Sequence, residues 1–270
     1  MLIHKSNIDG KLKKEKGKNQ EYIQEIKKKY DEWIEKINLL KNKFDDEAIK
    51  KKVEYLIEYK DFIDQPKFKK YEIDNNGWTA QSKLHSTVLE EFMYHLLNVI
   101  PSLNNGKFNL GPIKAYSNLF FAPKNLNSFI KDPGLTVNEK DQDFAISKEI
   151  LVKIESEEKK INIPVISIEN KTYLDKTMLD GSIATASKIK SGNPYCLFFI
   201  VCETYEVSEE IDPQYTDIDQ IYSLRKSTTR GSRDTIQPDI ILDLFNRVKN
   251  HLDSDWSNVA ENIKSGKIIK

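Results

Sequence analysis

The chain has 270 residues, of which 39% are hydrophobic and 31% are charged, a balance within the range of folded globular proteins. Its 42 basic residues equal its 42 acidic residues, so the formal net charge is zero, which excludes a uniformly basic protein but not a local positive patch. The sequence has two cysteines, no Cys/His metal-ligand spacing, no apolar signal segment and no stretch of membrane-spanning length, so we expect a cytoplasmic protein.

The N-terminal part of the chain is rich in lysine and in helix signals. Residues 1–20 carry a net charge of +4, which indicates either a solvated tail or a flexible arm that follows a phosphate backbone. Apolar residues then recur every three or four positions over residues 22–44, and a second helical run covers about 47–64. We interpret residues 21–77 as an antiparallel helical hairpin that packs on the main domain or contributes to a dimer contact. Residues 78–270 form that main domain.

A further helix is predicted from Ser82 to Ile100. On a helical wheel Glu90 lies at the edge of the apolar stripe, where a functional site could use its carboxylate. Glu91 lies nearly opposite and is expected to face solvent. Residues 101–140 are rich in glycine and proline and predict loops.

The second half of the chain alternates between strand and helix signals. A three-strand meander, a helix and a further strand predict a mixed α/β domain. The predicted elements are strands at 143–147, 150–155 and 161–171, a helix at 175–190, strands at 195–202 and 220–224, and a helix at 238–252. The strand at 195–202 contains Cys196 and Cys202, which we expect to be buried thiols.

The third strand of the meander ends in a pair of charged residues on one face. Side chains two apart share a strand face, so Glu169 and Lys171 project together, and Asp143 can approach them if the strands are neighbours. Close carboxylates repel each other unless a cation lies between them. We therefore predict Mg²⁺ bound by Asp143, Glu169 and the carbonyl of Asn170, with water and a phosphate oxygen as further ligands. Lys171 would orient the attacking water and offset negative charge, and Glu90 would bind a water molecule of the ion.

Two alternatives remain open at this site. Asp141 shares the strand face of Asp143 and could replace it as the first acid. The same residues could also form surface ion pairs at a sheet edge, because an acid followed by an E-x-K triplet arises by chance in a chain with so many acids and lysines.

The arrangement of Asp143 and the triplet Glu169-Asn170-Lys171 resembles that of the PD-(D/E)XK phosphodiesterases, although Gln142 stands where the motif has proline. The segments 140–146 and 168–178, together with KIKSGNPYCL at 188–197, resemble type II restriction endonucleases of the group that includes DdeI and BbvCI. The resemblance covers about residues 78–230.

The resemblance implies Mg²⁺-dependent cleavage of double-stranded DNA at a CTNAG-like site, with Asp143, Glu169 and Lys171 as catalytic residues. One or two ions are expected, and Mn²⁺ is expected to substitute. Since cutting both strands requires two active sites, we expect a homodimer on a palindromic site, or a heterodimer if the site is asymmetric. A cognate DNA methyltransferase is expected in the same system.

Candidate DNA contacts cluster in a basic loop that is also rich in Ser and Thr. Arginine suits bidentate contacts to guanine, and hydroxyl groups suit phosphates, although such a loop could also be a solvated connection. Lys188 lies near the end of a predicted helix, where it suits either DNA or the helix dipole. An acidic block at 203–219 is expected to face away from DNA. The basic residues of the loop are Arg225, Lys226, Arg230 and Arg233.

Two other functions stay open from the sequence alone. One is a repair or recombination nuclease of the same fold, which would cut structured DNA without sequence preference. The other is a non-enzymatic helical interaction protein, in which the E-x-K residues would form a surface pair.

Overall fold

The computed structural model describes residues 2–68, 84–104, 106–132, 134–154, 157–230, 232 and 234–268. Its helices are α1 (Ile3–Lys14), α2 (Lys18–Asn38), α3 (Asp46–Ile63), α4 (Ser86–Leu97), α5 (Leu126–Lys131), α6 (Lys176–Gly192), α7 (Pro238–Asp253) and α8 (Val259–Ser265). Its strands are β1 (Asn109–Phe121), β2 (Leu135–Ile154), β3 (Glu157–Leu174), β4 (Leu197–Tyr205) and β5 (Gln220–Ser223).

The five strands form one mixed sheet in the order β1-β2-β3-β4-β5. The pairs β1–β2 and β2–β3 are antiparallel, whereas β4 lies parallel to both β3 and β5. Helix α6 provides the crossover from β3 to β4, as parallel neighbours require. The predicted α/β class, with a helix, a three-strand meander, a helix and a further strand, is confirmed.

The strands of the meander differ from the prediction in two ways. The loop expected over residues 101–140 contains β1, whose alternation is hidden by Gly111, Pro112 and two register irregularities. The strands expected at 143–147 and 150–155 are one continuous strand, β2. The meander is therefore β1–β2–β3, and Asp143 lies on the strand directly beside the E-x-K triplet rather than on the next but one.

Apolar cores lie on both faces of the sheet. On one face, α4 and α7 pack against β2, β3 and β4, and this core continues without interruption into α1, α2 and α3. On the other face, α6 covers β3 and β4 with a smaller cluster that includes Cys196 and Cys202. Both cysteines are buried and unbonded to each other, as predicted.

The N-terminal region forms part of this packing. The two helices expected between residues 21 and 77 are present as α2 and α3. The solvated tail expected at 1–20 is wrong, because α1 buries His4 and Ile8 in the shared core. The predicted boundary at 77–78 lies outside the described residues. None of the helices in the described part of the chain is long and apolar enough to cross a membrane.

Helix α6 ends in close contact with β1. A Cβ atom added at Gly192 would lie 2.3 Å from the carbonyl oxygen of Ser117 and 2.9 Å from its carbonyl carbon, both of them backbone atoms. Only glycine allows this approach, which fixes the far end of α6 against β1.

Candidate active site

The pairing of β2 with β3 brings the three predicted catalytic side chains together. Phe144 pairs with Ile168, so the preceding residue of β2, Asp143, lies beside Glu169. The Nζ atom of Lys171 lies 3.6 Å from Oδ2 of Asp143 and 3.2 Å from Oε2 of Glu169. The predicted meeting of these side chains is confirmed, while their catalytic roles stay a prediction.

Neighbouring groups hold both carboxylates in place. The backbone N–H of Asn170 donates to Oδ2 of Asp143 at 2.9 Å. The hydroxyl of Ser182, on α6, donates to Oε2 of Glu169 at 2.6 Å. Sequence reasoning missed Ser182, because nothing in a lone serine of a predicted helix marks it as a partner of a distant strand.

The residues before Asp143 differ in their environments. Gln142 is buried, and its side-chain oxygen accepts a hydrogen bond from the hydroxyl of Ser167 on β3. Asp141, the alternative first acid, is exposed and lies in register with Lys114 of β1, and no side-chain hydrogen bond or ion pair joins it to Glu169 or Lys171 among the described residues. The geometry therefore favours Asp143 over Asp141.

The charges of the site are unbalanced. Burial raises the pKa of Asp143, and the charge of Lys171 offsets part of that rise. Burial acts to lower the pKa of Lys171, but the charges of Asp143 and Glu169 outweigh it and raise the pKa above its ordinary value. Burial and the charge of Asp143 raise the pKa of Glu90, on α4, to about 8. Three carboxyl groups thus share a single ammonium group.

The donor set fits a hard divalent cation. The hydrogen bonds and ion pairs of Asp143 and Glu169 engage Oδ2 and Oε2, which leaves Oδ1 and Oε1 without a partner among the described residues. A divalent cation would offset the repulsion between these two carboxylates, and carboxylate oxygens suit Mg²⁺.

A complete protein-only metal site is not formed within the described ranges, where no group of three His, Cys, Asp or Glu side chains converges as metal ligands. A cation at Asp143 and Glu169 would therefore take its remaining ligands from the Asn170 carbonyl, water and phosphate. This composition is ordinary for Mg²⁺, which keeps several waters and uses one or two carboxylates.

The predicted DNA-contact residues lie in different environments. Arg225 is buried, with ion pairs to Glu203 at 2.9 Å and to Asp64 at 3.6 Å, and it also donates to the carbonyl of Asp234. Lys60, on α3, binds the other oxygen of Glu203 at 2.7 Å. Because these partners use its guanidinium, Arg225 is placed to join the loop to α3 and β4 rather than to reach a base.

The other basic residues of the set are exposed or undescribed. Lys226 is exposed and has a left-handed backbone with φ of 48°. Lys188 is exposed on α6. Arg233 lies outside the described residues. A cavity of about 710 Å³ opens beside the edge strand β5, with Lys226, Ser227 and Thr228 in its wall.

Arg230 lies directly over the end of β3. Its guanidinium carbon is 3.6 Å from the ring centroid of Tyr173, and its Nε donates to Oε2 of Glu206 at 2.9 Å. Tyr173 follows Lys171 by two residues and shares its strand face, so Arg230 stands about one such step, roughly 7 Å, beyond Lys171. Sequence reasoning placed Arg230 near DNA but could not place it over this strand.

The acidic block at 203–219 was expected to face away from DNA as a unit. Three of its seven acids form ion pairs within the fold: Glu203 binds Lys60 and Arg225, Glu206 binds Arg230, and Asp219 binds Lys190 at 2.7 Å. A sequence pattern of like charges cannot reveal such pairing, because the basic partners lie on other elements. The direction of the block relative to DNA stays a prediction.

Comparisons with known proteins agree with this geometry. The family model described as Bpu10I restriction endonuclease matches residues 81–235, more than half of the chain. No curated protein matches the sequence. Among solved structures, a chain of the native BbvCI A2B2 tetramer is similar, with a TM-score of 0.71 and 20% sequence identity over 94% of this chain and 96% of that chain. At that identity the structural likeness concerns the fold.

Proposed function

This chain belongs to the Bpu10I restriction endonuclease family and is a site-specific deoxyribonuclease of type II, and we propose that Asp143, Glu169 and Lys171 carry out its Mg²⁺-dependent hydrolysis of DNA phosphodiester bonds. One observation carries the proposal: the Lys171 ammonium lies within 3.6 Å of one oxygen of each carboxylate. Family membership also excludes the non-enzymatic interaction protein.

The carboxylates of Asp143 and Glu169 and the carbonyl of Asn170 are the groups that would hold Mg²⁺, with Mn²⁺ as the expected substitute. When bound, the ion would polarise the scissile phosphate and offset the negative charge that develops there. The hydrogen bonds from the Asn170 N–H and from Ser182 hold the two carboxylates in fixed orientations, which supports this assignment. Such orienting contacts commonly change metal affinity or activity by about 10–100-fold.

Lys171 and Glu90 have separate proposed roles. The ammonium of Lys171 donates hydrogen bonds to the attacking water and to a phosphate oxygen, and so orients the nucleophile and stabilises the transition state. The carboxyl group of Glu90 accepts a hydrogen bond from a water molecule in the site. Its pKa responds to both Asp143 and Lys171, which supports its place beside them.

Arg230, Lys226 and Lys188 are the exposed residues that we propose to contact DNA. Arg230 is 57% exposed, and its contacts engage Nε and the flat face of the guanidinium, so both terminal nitrogens lack a partner among the described residues. A guanidinium already stacked on Tyr173 loses little further entropy when it binds a phosphate beside the scissile one. Arg233 belongs to the same loop and is included in the proposal. The placement of Arg225 does not support a contact with DNA.

We propose a dimer as the smallest active assembly, since two strands require two active sites. A chain of similar fold occurs in the BbvCI A2B2 tetramer, which supports an assembly with more than one catalytic subunit. The proposed target is a CTNAG-like sequence, and a cognate methyltransferase would protect the host DNA. Residues 78–270 are proposed as the nuclease unit, with the helical hairpin at 21–77 packed on it.

Cleavage of phage DNA with Mg²⁺, followed by sequencing of the fragment ends, tests the proposal. Discrete fragments with one recurring end sequence and a 5′-phosphate are expected. A smear of unrelated ends would instead indicate the structure-specific nuclease. In Ca²⁺, DNA should bind without being cut, because the ion supports binding but not hydrolysis.

A further inference from the structure

The hairpin between β1 and β2 exposes an unusual density of large apolar side chains. Six of them lie within twelve residues, and each is at least 38% exposed. We name this segment, residues 119–135, the β1–β2 tip. The six residues are Leu119, Phe120, Phe121, Leu126, Phe129 and Ile130.

The short helix of the β1–β2 tip turns its apolar face outward. Leu126, Phe129 and Ile130 stand at positions i, i+3 and i+4, so they share one face of α5. Their exposed fractions are 73%, 52% and 73%. No residue of α5 is buried, so this apolar face has no cover within the described part of the chain.

The β1–β2 tip is nevertheless a built structure. Asn125 caps α5 by accepting the N–H of Ser128 at 2.9 Å. The N–H of Ala122 donates to the carbonyl of Gly134 at 2.9 Å, and Asp132 accepts the N–H of Gly134 at 2.8 Å. Because the backbone is hydrogen-bonded, the apolar side chains are presented on a fixed surface that loses little entropy on binding.

The exposed area matches what a twofold contact needs. With about 150–250 Å² for a fully exposed large side chain, the six residues expose roughly 600 Å². Because Phe120 lies on the face of β1 opposite Leu119 and Phe121, this sum is the upper limit for one contiguous patch, and the largest apolar patch on typical monomers is roughly 300–600 Å². Two such tips facing each other would bury at most roughly 1,200 Å², which is the lower limit for specific protein interfaces.

The charge of the β1–β2 tip favours a protein partner over DNA. Between Leu119 and Leu135 its charged residues are Lys124, Lys131 and Asp132, a net charge of only +1. A phosphate-binding surface would need more positive charge. In a twofold contact, Lys131 of one copy could pair with Asp132 of the second copy, because such an interface must be complementary to itself.

We infer that the β1–β2 tip is the surface through which two copies of this chain associate, an inference that rests on the proposed dimeric nuclease. Association through the tips would give one particle two active sites. A monomer would keep its catalytic residues but could cut only one strand in each encounter with DNA.

The test compares the double variant Leu126→Glu with Ile130→Glu to a matched variant, Leu39→Glu with Phe44→Glu. All four positions are exposed, so all the variants should fold. Sedimentation equilibrium should show a wild-type dimer. The dissociation constant of the tip variant's dimer should be at least about 100-fold higher, because buried charges oppose the contact. The matched variant, which lies in the turn between α2 and α3, should dimerise like the wild type.

Plasmid cleavage separates this inference from the proposed function. The wild type should convert supercoiled plasmid directly to linear DNA, whereas the tip variant should accumulate nicked circles. A wild type that is monomeric and still linearises plasmid in one encounter would overturn the inference, as would a tip variant that dimerises normally but loses DNA affinity. If the wild type and the matched variant both form dimers but neither nick nor cut the plasmid, the proposed chemistry is contradicted instead.

Cross-linking gives an independent readout. The native thiols at 196 and 202 are buried, so Ile130→Cys would supply the accessible one among the described residues. A short bis-maleimide should join two chains of Ile130→Cys but not two chains of Leu39→Cys. Equal cross-linking of the two variants would contradict the assignment of the tip as the contact surface.

Discussion

Two neighbouring glutamates on α4 have opposite environments. Glu91 is buried and accepts hydrogen bonds from the hydroxyl of Tyr30 and from the backbone N–H of Lys5 at 3.0 Å. Glu90 has no hydrogen bond or ion pair within the described ranges, and burial with the charge of Asp143 raises its pKa to about 8. The fold therefore stabilises the ionised form of Glu91 with hydrogen-bond donors and leaves the carboxyl group of Glu90 without such donors.

The hydrogen-bond donors around Glu91 lie on α1 and α2. Burial alone would raise the pKa of Glu91, but the neighbouring His95, whose Nε2 lies 3.8 Å from Oε1, and hydrogen bonds from Tyr30 and the Lys5 N–H lower it below its ordinary value. His4 extends the network, with Nδ1 3.0 Å from the Thr87 hydroxyl and Nε2 2.6 Å from the Tyr59 hydroxyl. These bonds join α1, α2 and α3 to the helix that carries Glu90. The hydrogen-bonded groups on α1, α2 and α3 thus hold α4 in place, and with it Glu90 beside Asp143.

The largest expected effect concerns Lys171 in the candidate active site. We expect Lys171→Ala to reduce cleavage at least about 10³-fold, because the transition state loses its charged donor. Its melting temperature should stay close to that of the wild type, measured by circular dichroism. Lys176→Ala, which removes an exposed lysine paired with Asp180, is the control and should cleave normally. Retention of more than a tenth of the activity by Lys171→Ala would refute the assignment.

Two arginines extend the comparison to the basic loop. Arg225→Ala should destabilise the protein by about 3–5 kcal/mol, because Glu203 and Asp64 would lose their buried partner. Arg230→Ala should change stability by no more than about 1 kcal/mol, since its pair with Glu206 is exposed, but should weaken DNA binding. Urea unfolding and DNA titration in Ca²⁺ measure the two effects. The interpretation is contradicted if both variants lose only stability, or if both lose only DNA affinity.

Glu91→Gln and Glu90→Gln test the glutamates directly. We expect Glu91→Gln to cost about 3 kcal/mol of unfolding free energy, because an amide would confront the donors of Tyr30 and Lys5. Glu90→Gln should leave stability within about 0.5 kcal/mol of the wild type and reduce cleavage by about 10–100-fold. Urea unfolding and initial cleavage rates provide the measurements. A destabilised Glu90→Gln together with a stable Glu91→Gln would reverse the interpretation.

Over the single pH unit between pH 6 and pH 5, the smallest expected effect is a dependence of stability on pH. Burial lowers the pKa of His4 to about 3, against the opposing charge of Glu91, while His85 and Lys60 lower it further. The unfolded chain takes up a proton at His4 below about pH 6.5, and the native chain does not until about pH 3. Stability should therefore fall as the pH drops through this range, by up to about 1.4 kcal/mol per pH unit.

The lowered pKa of Glu91 acts in the same direction, since its stabilising charge is lost as the pH falls through its native pKa. The variant His4→Gln should flatten the pH slope of the unfolding free energy between pH 6 and pH 5, measured with urea at each pH. Its partners Tyr59 and Thr87 carry hydroxyl groups that an amide can still bond. An unchanged slope would show that the native chain binds a proton at His4 in this window, as the unfolded chain does, and would contradict the lowered pKa.

The sequence was sufficient for the features that depend on local periodicity. Side chains two apart on a strand share a face whatever the rest of the fold does, so Glu169 and Lys171 were placed correctly. The approach of Asp143 followed from the order of the strands, although the number of strands between was wrong. Strand β1 was missed because Gly111 and Pro112 carry loop signals and its bulges break the alternation.

Features that depend on contacts between distant elements could not be predicted. The helical wheel placed Glu91 toward solvent because a wheel does not show that α1 and α2 cover that side. The loop composition assigned Arg225 to DNA because its partners Glu203 and Asp64 lie on β4 and beyond the end of α3. In each case the residue type was compatible with both environments, and tertiary packing decided between them.

The tight contact of Gly192 with the backbone of Ser117 fixes where the end of α6 lies on β1. Ser182, whose hydroxyl restrains Glu169, lies ten residues earlier, roughly 15 Å along the helix axis. A single methyl group at position 192 would push this end of α6 away from β1, so the helix would have to move or bend. The hydrogen bond that holds the Glu169 carboxylate therefore comes from a helix whose position is fixed at its opposite end by a glycine.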